Sequence, residues 1–176
     1  SLDFQEFMIV PHGAPSFREA LRWGAETYHA LRALLIEQGL AVGVGDEGGF
    51  APNLAGNEQA CAIIVAAIER AGFTPGEQVA LALDPAASSF VSDNGYSLSK
   101  SGAGRKTARE LQALYADWAR RFPIVSIEDG FGENDWGAFR AQTAELGRTI
   151  QIVGDDLYVT NPELIARGIA ERTTNA

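Results

Sequence analysis

Two runs of sequence, QVALALD (78–84) and PIVSIED (123–129), constrain this chain most, because neither alternates apolar and polar residues. A strand with one wet face alternates. A near-continuous apolar strand is buried on both faces, as in a parallel sheet covered by helices. Both runs end in acids, Asp84 in the first and Glu128-Asp129 in the second. FQEFMIVP (4–11), AVGVGD (41–46) and IQIVGDD (150–156) also read as strands.

Helical periodicity fills the spaces between them. Ser16 and Glu19 have capping-box spacing. After them Phe17, Leu21, Gly24, Tyr28, Leu31 and Leu35 recur at helical intervals, and Gly39 sits where a helix-ending glycine belongs. A second helix is expected from a cap at Asn57 to Gly72, with Ile63, Ile64, Ala67 and Ile68 on its apolar side. Thr107 and Glu110 open a third through Leu111, Leu114, Tyr115 and Trp118, ending before Pro123. Residues 134–147 form a fourth around Trp136, Phe139 and Leu146, and Asn161-Pro162 begins a last one. Residues 88–99 read as a hairpin excursion turning at Asn94-Gly95.

Strand and helix thus alternate with no linker, which makes the fold class α/β with a parallel sheet. Four of the expected strands end in acids: Asp46-Glu47, Asp84, Glu128-Asp129 and Asp155-Asp156. In a TIM-type (β/α) barrel all strand carboxyl ends converge on one face, and catalytic groups come from several of them. An open sheet gathers its ligand groups near one switch point, so fewer strands contribute. The pattern favours the barrel. About five βα units are visible where a complete barrel takes roughly 250 residues. The expectation is one partial barrel domain over residues 1–176, incomplete at both ends. A start at Ser1 with no Met, already strand-like by Phe4, agrees with an excised piece.

Composition narrows the function. With 176 residues, 46% of them hydrophobic, the chain can bury a real core. A net charge of −9 argues against nucleic acid or an anionic membrane as partner, since both need a basic footprint. No apolar window is long enough to span a bilayer. Cys61 is the one cysteine, which excludes a disulfide framework and fits a reducing compartment.

A single acid after a strand is ordinarily a cap or a solvated loop residue. Repetition at strand after strand is a different matter, because converging carboxylates repel one another unless a cation joins them. Oxygen ligands without a Cys or His cluster select Mg²⁺, Ca²⁺ or Mn²⁺ over zinc, and Mg²⁺ is the expectation in a reducing compartment. Glu47 precedes Gly48 and Gly49, which let the backbone approach a ligand closely, and a carboxylate held there suits general acid or base work. A plain glycine turn is the alternative reading. Gln5 and Glu6 lie inside an otherwise apolar strand, so that strand is partly exposed or turns them toward a pocket. His12 and His29 carry weaker signals, in a loop and in mid-helix. No nucleophile elbow, P-loop or GxGxxG segment is present, and SGAGRK (101–106) reads as a connection, with anion binding as the alternative.

FQEFMIVPHGAPSFREALRWGAE, VGDEGGFAPN, LALDPAASSF, PIVSIEDGF and IQIVGDDLYVTNP, in that order and across nearly the whole chain, resemble the bacterial type of the enolase (phosphopyruvate hydratase) family. The resemblance implies the C-terminal barrel domain of a lyase that reversibly dehydrates 2-phosphoglycerate to phosphoenolpyruvate in glycolysis. It implies Asp84, Glu128 and Asp155 as Mg²⁺ ligands, where spacing alone leaves Asp155 and Asp156 open. It implies Glu47 as the general acid for the departing C3 hydroxyl, Glu6 as its assistant and Gln5 as a substrate contact. The chemistry agrees: removing a proton next to a carboxylate builds a doubly charged aci-carboxylate, and divalent metal stabilises such charge. The implied full-length protein is cytoplasmic, with a surface or secreted fraction in some members. It is a homo-oligomer, dimeric or larger, with a small-molecule substrate as its partner.

Two expected parts of the family pattern fall outside these residues. The proton-abstracting lysine, with the phosphate-holding arginine, serine and second lysine, is expected beyond Ala176. The His-bearing lid and the N-terminal αβ domain are expected before Ser1. The piece by itself is therefore expected to be inactive. Two alternatives stand beside this reading: another carboxylate-acting lyase of the same superfamily, which need not keep DEGGFAP or Gln5-Glu6, and a non-catalytic binding or adhesion role.

Overall fold

The two apolar runs become neighbouring strands. β2 (Ala80–Asp84) and β6 (Ile124–Glu128) pair in parallel, with Leu83 opposite Ile127. The computed structural model describes residues 2–176. Across them β1 (Glu6–Val10), β2, β6 and β7 (Gln151–Val153) form a four-stranded sheet in that order. A small second sheet holds β3 (Val91–Ser92), β4 (Gly95–Leu98) and β5 (Gly104–Lys106). Five helices accompany them: α1 (Phe17–Glu37), α2 (Asn57–Arg70), α3 (Ala108–Arg121), α4 (Trp136–Leu146) and α5 (Pro162–Glu171). This is mixed α/β with a partial, unclosed sheet, as the sequence leads one to expect of a barrel segment.

Local chemistry sets the helix ends. Ser16 accepts the Glu19 N–H at the start of α1, and Thr107 and Glu110 form a reciprocal capping box at α3. Asn161 caps α5 with Pro162 in its first turn. α1 ends with Gly39 at φ +68°, a left-handed backbone that glycine adopts without steric cost.

Four expectations are corrected. β1 runs antiparallel to β2, not parallel: Val10, where β1 ends, faces Ala80, where β2 begins. Residues 41–46 form no strand, only a single bridge between Val44 and Phe50. Gly43, Gly45, Gly48 and Gly49 supply no side chains for a sheet face, and the segment folds on itself through Gly45 N–H to Gly49 O, Gly48 N–H to Gly45 O and Ala51 N–H to Gly43 O. With no strand between α1 and α2, the chain enters β2 from the end at which it left β1, and this sets the antiparallel pairing. Asn57 does not cap α2; Gly56 holds that position, and the Asn57 carboxamide instead accepts the N–H of Asp3 and of Phe4. The hairpin turns at Asp93-Asn94, one residue early, since Ser92 pairs with Gly95.

The core joins sheet and helices through Leu81, Leu83, Ile127 and Ile152, together with Leu111, Tyr115 and Phe139 from the helices. Phe131 is its aromatic hub, 1% exposed, with Tyr96, Tyr115 and Phe139 all edge-on to its ring. Phe131→Ala is expected to cost about 3–5 kcal/mol, the usual range for emptying a buried Phe site. Denaturant unfolding of the full-length protein measures it, and a loss below about 1 kcal/mol would contradict this packing role.

Candidate active site

Carboxylates stand in a row across one end of the four-stranded sheet. Glu6 faces Asp84 in the β1–β2 register. Leu83 faces Ile127, so Asp84 and Glu128 leave their strands side by side. Glu128 faces Val153, two residues before Asp155. The reversed direction of β1 explains how Glu6 arrives: its amino end lies beside the carboxyl ends of β2, β6 and β7. Gln5, one residue earlier, is exposed and lines the adjoining cavity.

Crowding and partial burial act together on these groups. Burial pushes the Asp84 carboxyl up to about 6, with the charges of Glu128, Asp129 and Asp156 adding to the rise and the Ala86 N–H opposing it. Glu128 is raised by burial first, then by the charges of Asp129, Asp155, Glu6 and Asp156. Glu6 is raised by burial, then by a hydrogen bond with Glu47 and by the charges of Glu47 and Asp84. The rise at Glu6 thus comes from burial and from two carboxyl neighbours, Glu47 on the glycine loop and Asp84 on β2.

Glu47 reaches Glu6 from the glycine loop rather than from a strand end. Gly48 takes φ +82°, and the Tyr28 hydroxyl on α1 donates to the Gly48 carbonyl. Phe50 stacks on the Tyr28 ring at 4.3 Å between centroids, a second contact between Tyr28 and the loop. Helical spacing marks Tyr28 as one more apolar position, and nothing in that spacing points to its hydroxyl. A cavity of about 590 Å³ lies between β1, α1, α2 and this loop, with Glu6, Asp46, Glu47 and Gln5 as its charged and carboxamide lining.

The oxygen donors fit a hard divalent cation. Glu128, Asp129 and Asp155 each offer an oxygen within 4.8 Å of the others. Asp155 belongs to this trio and Asp156 does not. Asp84 stands outside it, at the neighbouring strand end. Asp129 is 3% exposed, and its oxygens accept main-chain N–H groups from Asp155 at 3.1 Å and Asp156 at 2.8 Å. Burial raises its carboxyl, and those amides hold it down in part. Sequence reading passed over Asp129 because it looked like one more acid at a strand end.

The other singled-out residues lie elsewhere. His12 follows β1 at the end away from the carboxylates, and its Nε2 pairs with the Gly76 carbonyl at 3.1 Å. His29 sits edge-on to Tyr28. Cys61 is buried in the core, its thiol pushed up to about 12 by burial, and so is unreactive. The turn before β5 is tied down by Asp3, which accepts the N–H groups of Lys100 and Ser101.

Without cation, the raised carboxyl of Asp84 makes the folded state bind protons more tightly than the unfolded one. Its contribution to stability is present below about pH 4, the unfolded value, and is lost as pH rises through about 6. Asp84→Asn keeps an acceptor for the Ala86 N–H and never ionises. Its thermal midpoint, relative to the unaltered protein in chelator, is therefore expected to rise between about pH 4.5 and 7.5. Adding Mg²⁺ at the upper pH is expected to reverse the order. A flat difference across that window would contradict the crowding of these acids.

Comparison with known proteins adds an independent finding. The family described as "Enolase, C-terminal TIM barrel domain" matches residues 1–176. The chain is 58% identical over 176 residues to Enolase 1 of Methylococcus capsulatus, covering 100% of this chain and 42% of that protein. It is 53% identical over 174 residues to Enolase 2 of Methanospirillum hungatei JF-1, covering 99% of this chain and 41% of that protein. The chain thus spans about two fifths of the length of these relatives. Among the described residues no helix is long and apolar enough to cross a membrane.

Proposed function

This chain belongs to the family of enolase C-terminal TIM-barrel domains, and from that premise we propose that the full-length protein is a Mg²⁺-dependent enolase that reversibly dehydrates 2-phosphoglycerate to phosphoenolpyruvate in glycolysis. One observation supports this beyond family membership: Glu6 and Glu47 line one cavity together, and Glu6 adjoins a row of oxygen donors through Asp84. Dehydration next to a carboxylate needs both a proton donor for the leaving hydroxyl and positive charge for the carboxylate.

Asp84, Glu128 and Asp155 are the proposed cation-holding residues, each at or just past a strand end. Bound there, a divalent cation supplies positive charge where the substrate's carboxylate gathers negative charge. Glu47 delivers the proton to the C3 hydroxyl. Glu6 holds that proton in place through their hydrogen bond, and Gln5 contacts substrate at the cavity wall. The base that removes the α-proton is not proposed among these residues. Lys100 and Lys106 are the lysines in the sequence, and both belong to the small-sheet excursion. Residues 1–176 are read as part of one barrel domain: β1 and β7, at the sheet edges, each have one neighbour here and leave room for further strands. A cytoplasmic homo-oligomer completes the reading of the full-length protein.

The test is formation of phosphoenolpyruvate, followed by its ultraviolet absorbance, with full-length protein and 2-phosphoglycerate. Turnover that disappears with chelator and returns with Mg²⁺ is expected, and residues 1–176 alone are expected to give none. Tight substrate binding by full-length protein without turnover would overturn the proposal in favour of a binding role.

A further inference from the structure

We propose that Asp129 is a positioning residue, which fixes Asp155 beside Glu128 and is not itself a ligand of the cation. This deepens the reading of the same site and rests on it. Asp129 is connected to all three strand ends that carry the proposed ligands. Its N–H donates to the Val153 carbonyl at the end of β7, at 3.0 Å. Its carbonyl accepts the Ala87 N–H at 3.0 Å, from the turn that follows Asp84. It follows Glu128 directly in the chain. Its side chain closes the arrangement: one carboxylate oxygen accepts the Asp155 N–H and the other the Asp156 N–H.

Two further features show that this residue is held for its geometry. Asp129 takes φ +42°, a left-handed backbone uncommon for residues with a Cβ, and one that Asp tolerates better than most. The peptide after it is closely packed and hydrogen-bonded. A Cβ on Gly130 would stand 2.9 Å from the Gln142 Nε2, and the Gly130 carbonyl accepts the Tyr115 hydroxyl at 2.8 Å. A buried carboxylate is costly unless its oxygens are satisfied, and here main-chain donors satisfy both. The carboxylate therefore orients the backbone of residues 155 and 156, and that backbone in turn sets where the Asp155 side chain points. Asparagine cannot do the same work, because its amide offers one acceptor and turns a donor toward the second N–H.

A double-mutant cycle on Mn²⁺ binding by the full-length protein, read by electron paramagnetic resonance without substrate, tests this. Asp155→Asn is expected to weaken Mn²⁺ binding. Asp129→Asn is expected to weaken it by about 10–100-fold, the usual effect of losing a residue that orients a ligand. The double variant is expected to bind no more weakly than Asp155→Asn alone, because Asp129 acts through Asp155. Losses that add would overturn the inference and make Asp129 a ligand in its own right or a general stabiliser. Unchanged binding in Asp129→Asn would overturn it as well. Unchanged binding in Asp155→Asn would overturn the metal-site reading, and the inference with it. If Asp129→Asn does not fold, as judged by circular dichroism, Asp129→Ser removes the buried charge, keeps one acceptor, and is read the same way.

Discussion

In the full-length protein, Glu128→Gln is expected to abolish tight Mg²⁺ binding and to lower kcat/KM for phosphoenolpyruvate formation by about 10³-fold or more, the scale on which removing a main electrostatic contributor acts. Glu128 sits in the middle of the row, with Asp84 on one side and Asp155 on the other. Glutamine has nearly the same volume, so the packing of β6 around Ile127 is kept. What it loses is the charge that binds the cation, and with it the repulsion that helps raise Asp84. Isothermal titration with Mg²⁺ and steady-state kinetics read the two effects separately. Full-strength cation binding by Glu128→Gln would remove Glu128 from the proposed ligand set.

Glu47→Gln is expected to behave differently: kcat falls by about 10²–10⁴-fold, the range for losing a positioned general acid, while affinity for Mg²⁺ is unchanged. Glu47 lies on the glycine loop and is coupled to Glu6, outside the oxygen trio of Glu128, Asp129 and Asp155. The glutamine amide can still donate to Glu6, so the loop stays anchored by Tyr28 and Phe50. It cannot give up a proton to a departing hydroxyl. A variant that retains kcat would show that the proton comes from another group.

The pattern of elements was legible because strong local rules agree along the chain. QVALALD and PIVSIED became β2 and β6, and the capping pairs Ser16-Glu19 and Thr107-Glu110 became helix starts. AVGVGD misled because periodicity counts Val42 and Val44 but takes no account of Gly43 and Gly45 beside them, which leave a sheet face nothing to pack. The direction of β1 is invisible locally, since the strand-forming residues of FQEFMIVP suit a parallel or an antiparallel neighbour equally. Gln5 and Glu6 stood out as polar residues in an apolar strand, and the reversed strand supplies the reason. Asp129 was illegible because its burial, its left-handed backbone and its two amide donors are products of tertiary packing.

The antiparallel β1 also divides the site by how much chain must be ordered before its parts meet. Pairing β6 with β7 closes a loop containing α4, and it brings Glu128 to Asp155. Pairing Glu6 with Asp84 closes a far longer loop that contains α1, the glycine segment and α2. Closure entropy grows slowly, by about 0.6 kcal/mol per doubling of loop length, yet non-local pairings of this kind set the pace of folding. The cation-side acids are thus gathered by a short excursion of the chain. The proton-side acid joins them through the pairing of greatest sequence separation in the sheet.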